Sequence, residues 1–235
     1  NRRLAIPMML FVAVFEYAWK PFYLSNFEEE GAKQLYARVL SYFTLVSAVV
    51  FLGSSFFMEY VVRIPFFGGK HLIQQDYWAG LGVVPIILAG YYFNGVYTNV
   101  SAGFHITKRT EFFPLSIGIA AIVNLAINIF LVPVFGYPAS AWAALIAYVI
   151  AAGMLLYHQR KIYPIEYEWK RLGLLVAITT FVYLITDYAT TNMELWTKFF
   201  VRMAACCAFV ALLFVTKFFS IGEMQSLRGM VRRKK

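Results

Sequence analysis

Five polar residues in one stretch of this chain could do chemistry together. Asn94, Thr98, Ser101, His105 and Lys108 follow one another at steps of four, three, four and three, the spacing that gathers side chains on one face of an α-helix. Between them stand Val96, Val100, Ala102 and Phe104. A line of amide, hydroxyl, imidazole and ammonium groups can bind hydroxyls and anions. In apolar surroundings such a stripe either bonds to neighbouring helices or lines a water-filled cavity. The gathering of His105 and Lys108 at one end favours the cavity. His105 alone could carry protons, or serve as a hydrogen-bonded interfacial imidazole.

Ser116, Ala120, Asn124 and Asn128 repeat the pattern at one small or polar residue per turn. Two amides on one face can grip sugar hydroxyls, and can equally bond across to another helix. Thr179, Tyr183 and Thr186, with Asp187 beyond them, form a weaker stripe, since threonine often bonds back to its own helix. Arg2 and Arg3 open the chain. A guanidinium near mid-membrane costs about 2.5–3.5 kcal/mol on insertion scales, and its planar fork suits phosphate oxygens. Arg3 is therefore either an anion ligand or an interfacial anchor. Glu16 and Lys20, four apart beside Trp19 and Pro21, read as an i,i+4 ion pair with an interfacial Trp and a snorkelling Lys.

Catalytic patterns are absent from the sequence. There is no phosphate-cradling Gly loop, no His/Cys metal spacing and no Ser-His-Asp set, and His71, His105 and His158 are scattered. The expectation is no catalytic residue, no metal and no cofactor. Cys206 and Cys207 are adjacent; neighbours in a helix point apart, so they read as small packing residues.

The elements that must position these groups are seven apolar stretches, at about 4–24, 39–62, 81–106, 112–132, 139–157, 172–189 and 197–219. At about 1.5 Å per residue, roughly 20 residues span a hydrocarbon core of about 30 Å. The 235 residues are 61% hydrophobic and 14% charged, with a mean hydropathy of +0.65. That composition lacks the polar residues to cover a water-soluble domain of this size. Lipid cannot satisfy backbone groups, and continuous apolar runs without alternation select helices over barrel strands. The fold class is all-α: a polytopic membrane helix bundle of seven transmembrane helices in one domain over 1–235, with no soluble domain.

A net charge of +9 is compatible with nucleic-acid binding, but the basic residues sit between spans and at the end of the chain. With the C-terminus inside, most of the 21 Lys and Arg fall on the inner side, among them Lys108, Arg109, Arg160, Lys161, Lys170, Arg171 and the terminal Arg232, Arg233, Lys234 and Lys235. This is the positive-inside asymmetry, and it excludes nucleic acid as the partner. Pro85 and Pro114 mark span starts, and Val132-Pro133 through Tyr137-Pro138 reads as a tight outer turn. Ala139, Ala143, Ala147 and Ala151 recur every fourth residue, a small-residue face for close helix packing. An odd span count and the absence of an initiating Met lead to the expectation that the chain is the C-terminal part of a longer protein.

The opening segment, "NRRLAIPMMLFVAVFEYAWKPFYL", resembles the eighth span of bacterial polysaccharide-biosynthesis flippases, in which a basic residue precedes a Leu and Ala-Trp-x-Pro-Phe ends the span. Residues 90–109, "GYYFNGVYTNVSAGFHITKR", residues 124–153 with their two Asn, and "YPIEYEWKRL" at 163–172 resemble the segments that follow, in order. The likeness covers essentially the whole chain. It implies spans eight to fourteen of a fourteen-span member of the multidrug/oligosaccharidyl-lipid/polysaccharide exporter superfamily, whose members flip undecaprenyl-pyrophosphate-linked oligosaccharide across the bacterial inner membrane for O-antigen (lipopolysaccharide) or capsule. On this resemblance Arg3, or Arg2 beside it, meets the pyrophosphate, and the stripes at 94–108 and 116–128 meet sugar. The partners implied are the lipid-linked oligosaccharide, membrane lipids, a possible coupling ion and the missing N-terminal half. Two other readings compete. A multidrug exporter of the same superfamily requires an intramembrane carboxylate, for which only Glu16 qualifies; a membrane polysaccharide polymerase or transferase requires a large Arg- or His-rich outer loop.

Overall fold

The computed structural model describes residues 2–66, 70–71, 75–216 and 218. Among them are seven α-helices: α1 (Ile6–Asn26), α2 (Ala32–Arg63), α3 (Val84–Ile106), α4 (Phe112–Phe135), α5 (Tyr137–Ile162), α6 (Trp169–Thr190) and α7 (Leu195–Val215). Short 3-10 turns at Arg2–Ala5 and Gln75–Val83 lead into α1 and α3. A two-residue antiparallel ladder pairs Pro65 with His71 and Phe66 with Lys70. The architecture is an all-helical polytopic bundle, with six helices long and apolar enough to cross a membrane. The exception is α1, whose second half carries Glu16, Tyr17, Trp19, Lys20 and Pro21.

Helix ends follow local chemistry. Pro85 and Pro114 sit in the first turns of α3 and α4, where a missing N–H leaves no bond unmade. The turn expected between Val132 and Pro138 is shorter than the prolines imply: α4 runs through Pro133 to Phe135, and Gly136 alone reverses the chain at φ 69°. Only glycine takes that backbone without steric cost. α2 begins at Ala32, a turn or more before its apolar run, so it carries a polar extension beyond the span.

The chain forms two compact units, Asn1–Glu168 and Trp169–Lys235. In the first, α3 is the hub. It packs against α1, α2 and α5, while α5 also packs along α4. Gly95 admits the Phe43 ring of α2 into the space a Cβ would need, and at Gly90 the α5 backbone of Leu145 lies 3.6 Å from where a Cβ would stand. Ala139, Ala143 and Ala151 of α5 are buried, in keeping with a close-packing face. Near one end Trp19, Tyr23, Tyr36 and Ala102 form a buried cluster, tied by the Tyr36 hydroxyl donating to the Tyr23 carbonyl at 3.0 Å.

Beyond α5, the Tyr167 hydroxyl accepts from Gln159 at 3.1 Å. Burial pushes the Tyr167 phenol up, so it stays neutral. Ser41 donates to the Glu168 carboxylate at 2.6 Å. The outward side of α4, with Ile122, Phe130 and Val134 exposed, offers an apolar face suited to lipid.

The second unit pairs α6 with α7. Thr179 and Thr190 donate to the carbonyls of Leu175 and Thr186, at 2.7 and 2.8 Å, the back-bonding expected of threonine in a helix. Arg202 of α7 is buried, in electrostatic reach of Tyr183 of α6.

Candidate functional site

Two adjoining cavities open along α3. The first, about 270 Å³, is walled by Glu16, Trp19, Lys20 and Tyr23 of α1, by Tyr97, Thr98, Ser101 and His105 of α3, and by Phe113 and Ile117 of α4. Thr98, Ser101 and His105, three of the five stripe residues, therefore face a cavity. The reason is the register: α3 turns its glycines and small residues toward α2 and α5, and the polar line falls in the gap between α1 and α4. Within it the Ser101 hydroxyl donates to the Thr98 carbonyl at 2.7 Å, leaving its oxygen to accept from a ligand.

The cationic end of this cavity is made by Lys20, and the His105 imidazole lies within electrostatic reach of it. The His105 ring is fixed between aromatic neighbours, stacked on Tyr23 at 6.0 Å and tilted against Phe113 at 4.8 Å. Glu16 and Lys20 form no ion pair with each other among the described residues. The expected i,i+4 pair is thus corrected: both side chains are exposed to the cavity instead. Trp19, Tyr23, Tyr97 and Phe113 supply the aromatic walls. Aromatic faces with interspersed hydroxyls and one cationic end suit a sugar ring bearing an anionic group.

The second cavity, about 570 Å³, lies between α3, α4 and α5 and shares Tyr97 and Ile117 with the first. Asn94 and Asn124 reach it, opposite Ala144, Ala147, Tyr148 and Ala151. The alanine face of α5 thus does two things, packing at one end and leaving room for a ligand at the other. Asn128 does not line the cavity. Its amide donates to the Asn124 carbonyl at 2.8 Å and to Asn124 Oδ1 at 3.1 Å, which holds the Asn124 side chain and leaves its own NH₂ free to donate.

Lys108 leaves the stripe. α3 ends at Ile106, Lys108 takes a left-handed backbone at φ 59° and is exposed, and the Arg109 N–H reaches back to the Phe104 carbonyl at 2.9 Å. This closure of the helix end turns the side chain off the face that spacing alone assigned to it. Arg2 and Arg3 have their backbone in the 3-10 turn Arg2–Ala5; their side chains lie outside the described residues.

Spacing alone pairs Lys20 with Glu16, leaves Glu16 a further role only in the multidrug reading, and passes over Tyr97, although Tyr97 stands three residues after Asn94 and one before Thr98, on the same side of the helix. It also passed over Asn99 and Arg202, whose burial depends on which neighbours cover them. No metal-binding group of His, Cys, Asp and Glu occurs among the described residues. Comparison of the chain with protein-family models, with curated proteins and with solved structures returns no match.

Proposed function

We propose that this chain is the C-terminal half of a flippase that moves an undecaprenyl-pyrophosphate-linked oligosaccharide across the bacterial inner membrane by alternating access, serving O-antigen or capsule synthesis. The observation that carries the reading is the first cavity, where the polar stripe of α3 meets Lys20, Glu16 and four aromatic rings. A sugar pyrophosphate needs a polar, cationic passage across a low-dielectric slab while its polyprenyl tail stays in lipid. Lys20 supplies the charge, His105 a ring N–H beside it, and the hydroxyls and amides of α3 and α4 supply the sugar contacts. The resemblance of residues 1–24, 90–109 and 163–172 to this family supports the same reading. In this reading the C-terminus is cytoplasmic, in line with the basic inner segments.

The experiment is surface display of O-antigen or capsule in a strain deleted for its own flippase and carrying the full-length gene that encodes this chain, with membrane levels checked by immunoblot. Lys20→Arg should retain much of the display. Lys20→Ala should lose about tenfold or more, the loss expected for one charge-assisted contact, and Lys20→Glu should abolish display by repelling the anion. Arg3→Lys, Arg3→Ala and Arg3→Glu should follow the same order. Wild-type display by well-expressed Lys20→Glu and Arg3→Glu variants would overturn the anion-binding roles.

A second reading has one observation in its favour. Glu16 faces the cavity without an ion-pair partner among the described residues, as a cation-coupled multidrug exporter of the same superfamily would require.

A further inference from the structure

We propose that the second cavity is a subsite for an acetamido group of the glycan, and that Asn128, which does not line it, is the positioning residue that aims the Asn124 amide into it. The proposal rests on the flippase reading for its ligand being a glycan, and it names the sugar substituent this cavity takes. The cavity, about 570 Å³ between α3, α4 and α5, has no charged side chain in its walls among the described residues. Its polar groups are the Asn94 and Asn124 amides and the Tyr97 and Tyr148 phenols, and Ala144 and Ala147 keep the α5 wall apolar and low. With no cation to offset the desolvation of a phosphate, the group that belongs here is uncharged.

The orientation of Asn124 follows from its neighbour one turn on. The Asn124 backbone carbonyl only accepts, so the Asn128 atom 2.8 Å from it is the Nδ2 donor. The same nitrogen lies 3.1 Å from the Asn124 side chain, and its second hydrogen requires an acceptor there, which is Oδ1. The backbone carbonyl thus removes the ambiguity of oxygen and nitrogen that a side-chain amide usually carries. With Oδ1 turned to Asn128, Asn124 presents the N–H donors of its Nδ2 to the cavity. Asn94 reaches the same cavity from α3 and can supply an acceptor. An acetamido group matches this set: its carbonyl accepts from Asn124 Nδ2, its N–H donates to Asn94 Oδ1, and its methyl covers the Ala144 and Ala147 wall. A bare hydroxyl engages the amides but leaves that wall uncovered.

The test is saturation-transfer NMR on the full-length protein that contains this chain, purified in detergent, with N-acetylglucosamine and glucose as probes. Saturation should be strongest at the acetamido methyl, and N-acetylglucosamine should bind about tenfold more tightly than glucose, the difference expected for one hydrogen bond and one covered methyl. Asn124→Leu, which removes the donor, and Ala147→Leu, which fills the place of the methyl, should each abolish that preference. Asn128→Leu leaves the cavity walls intact and frees the Asn124 amide to rotate; it should cut the preference to about threefold or less, whereas a merely structural role would weaken both sugars alike. If Asn128→Leu does not fold, Asn128→Ala gives the same reading, and Gly153→Ala, with open space around it on α5, should keep the full preference. Equal affinity of the unmodified protein for the two sugars, or a full preference in Asn124→Leu, overturns the subsite. A full preference in Asn128→Leu overturns the positioning role. The probes carry neither phosphate nor lipid, so these outcomes are separate from the display experiment that decides the flippase reading.

Discussion

Glu16 and Lys20 lie one turn apart on α1, open into the same cavity, and make no ion pair with each other. Two opposite charges at that spacing usually stabilise a helix by about 0.2–0.5 kcal/mol when they meet. Here each is left available to a ligand. The cavity therefore has a cationic group and an acidic group along one helix, with the hydroxyls of α3 facing them.

The two transport readings divide on Glu16. If the cavity carries an anionic glycan lipid, Glu16→Gln should keep at least half of the surface display, since the carboxylate does not contact the anion. If the chain is a cation-coupled exporter, the same variant should abolish efflux of organic cations such as ethidium. Measuring both outputs on one set of membranes separates the readings.

Lys108 should prove dispensable. Its left-handed backbone carries a steric cost of roughly 1–2 kcal/mol that glycine escapes, and its side chain is off the stripe. Lys108→Gly should raise or preserve the thermal unfolding midpoint in detergent and leave surface display intact. Loss of display with normal stability would return Lys108 to the site.

Gly95 should be intolerant of any side chain. A Cβ there collides with the Phe43 ring, whereas Gly153 on α5 has open space around it. Gly95→Ala should destabilise the protein by about 1–3 kcal/mol through overpacking. Gly153→Ala, in a helix interior, should be neutral or stabilising by roughly 0.5–1 kcal/mol. Equal midpoints for the two variants would contradict the α2–α3 packing described.

The helices were legible in the sequence because lipid leaves apolar runs no other backbone solution, and the stripe on α3 was legible because helical spacing is a local property. What escaped depended on tertiary partners. Lys108 fits the period but lies beyond a helix end set by the Phe104 to Arg109 closure. Pro133 looked like a turn residue and is helical, since Gly136 alone makes the reversal. Glu16 and Lys20 had the spacing of a pair, and only the neighbouring α3 and α4 walls reveal the cavity that separates their roles. Asn99 carried no periodic signal, because it sits off the stripe, and its burial depends on neighbouring segments.

The most direct test of the account joins the cavity to transport. In a Cys206→Ser/Cys207→Ser background, Ser101→Cys places a single thiol on the cavity wall. Labelling it to completion with a bulky impermeant maleimide should fill much of the cavity of about 270 Å³ and reduce newly displayed surface glycan about tenfold or more, the loss expected when a passage is blocked rather than weakened. The unlabelled variant and a reagent-treated background without Ser101→Cys should both display normally. Full glycan display by completely labelled Ser101→Cys would contradict the claim that this cavity is the path.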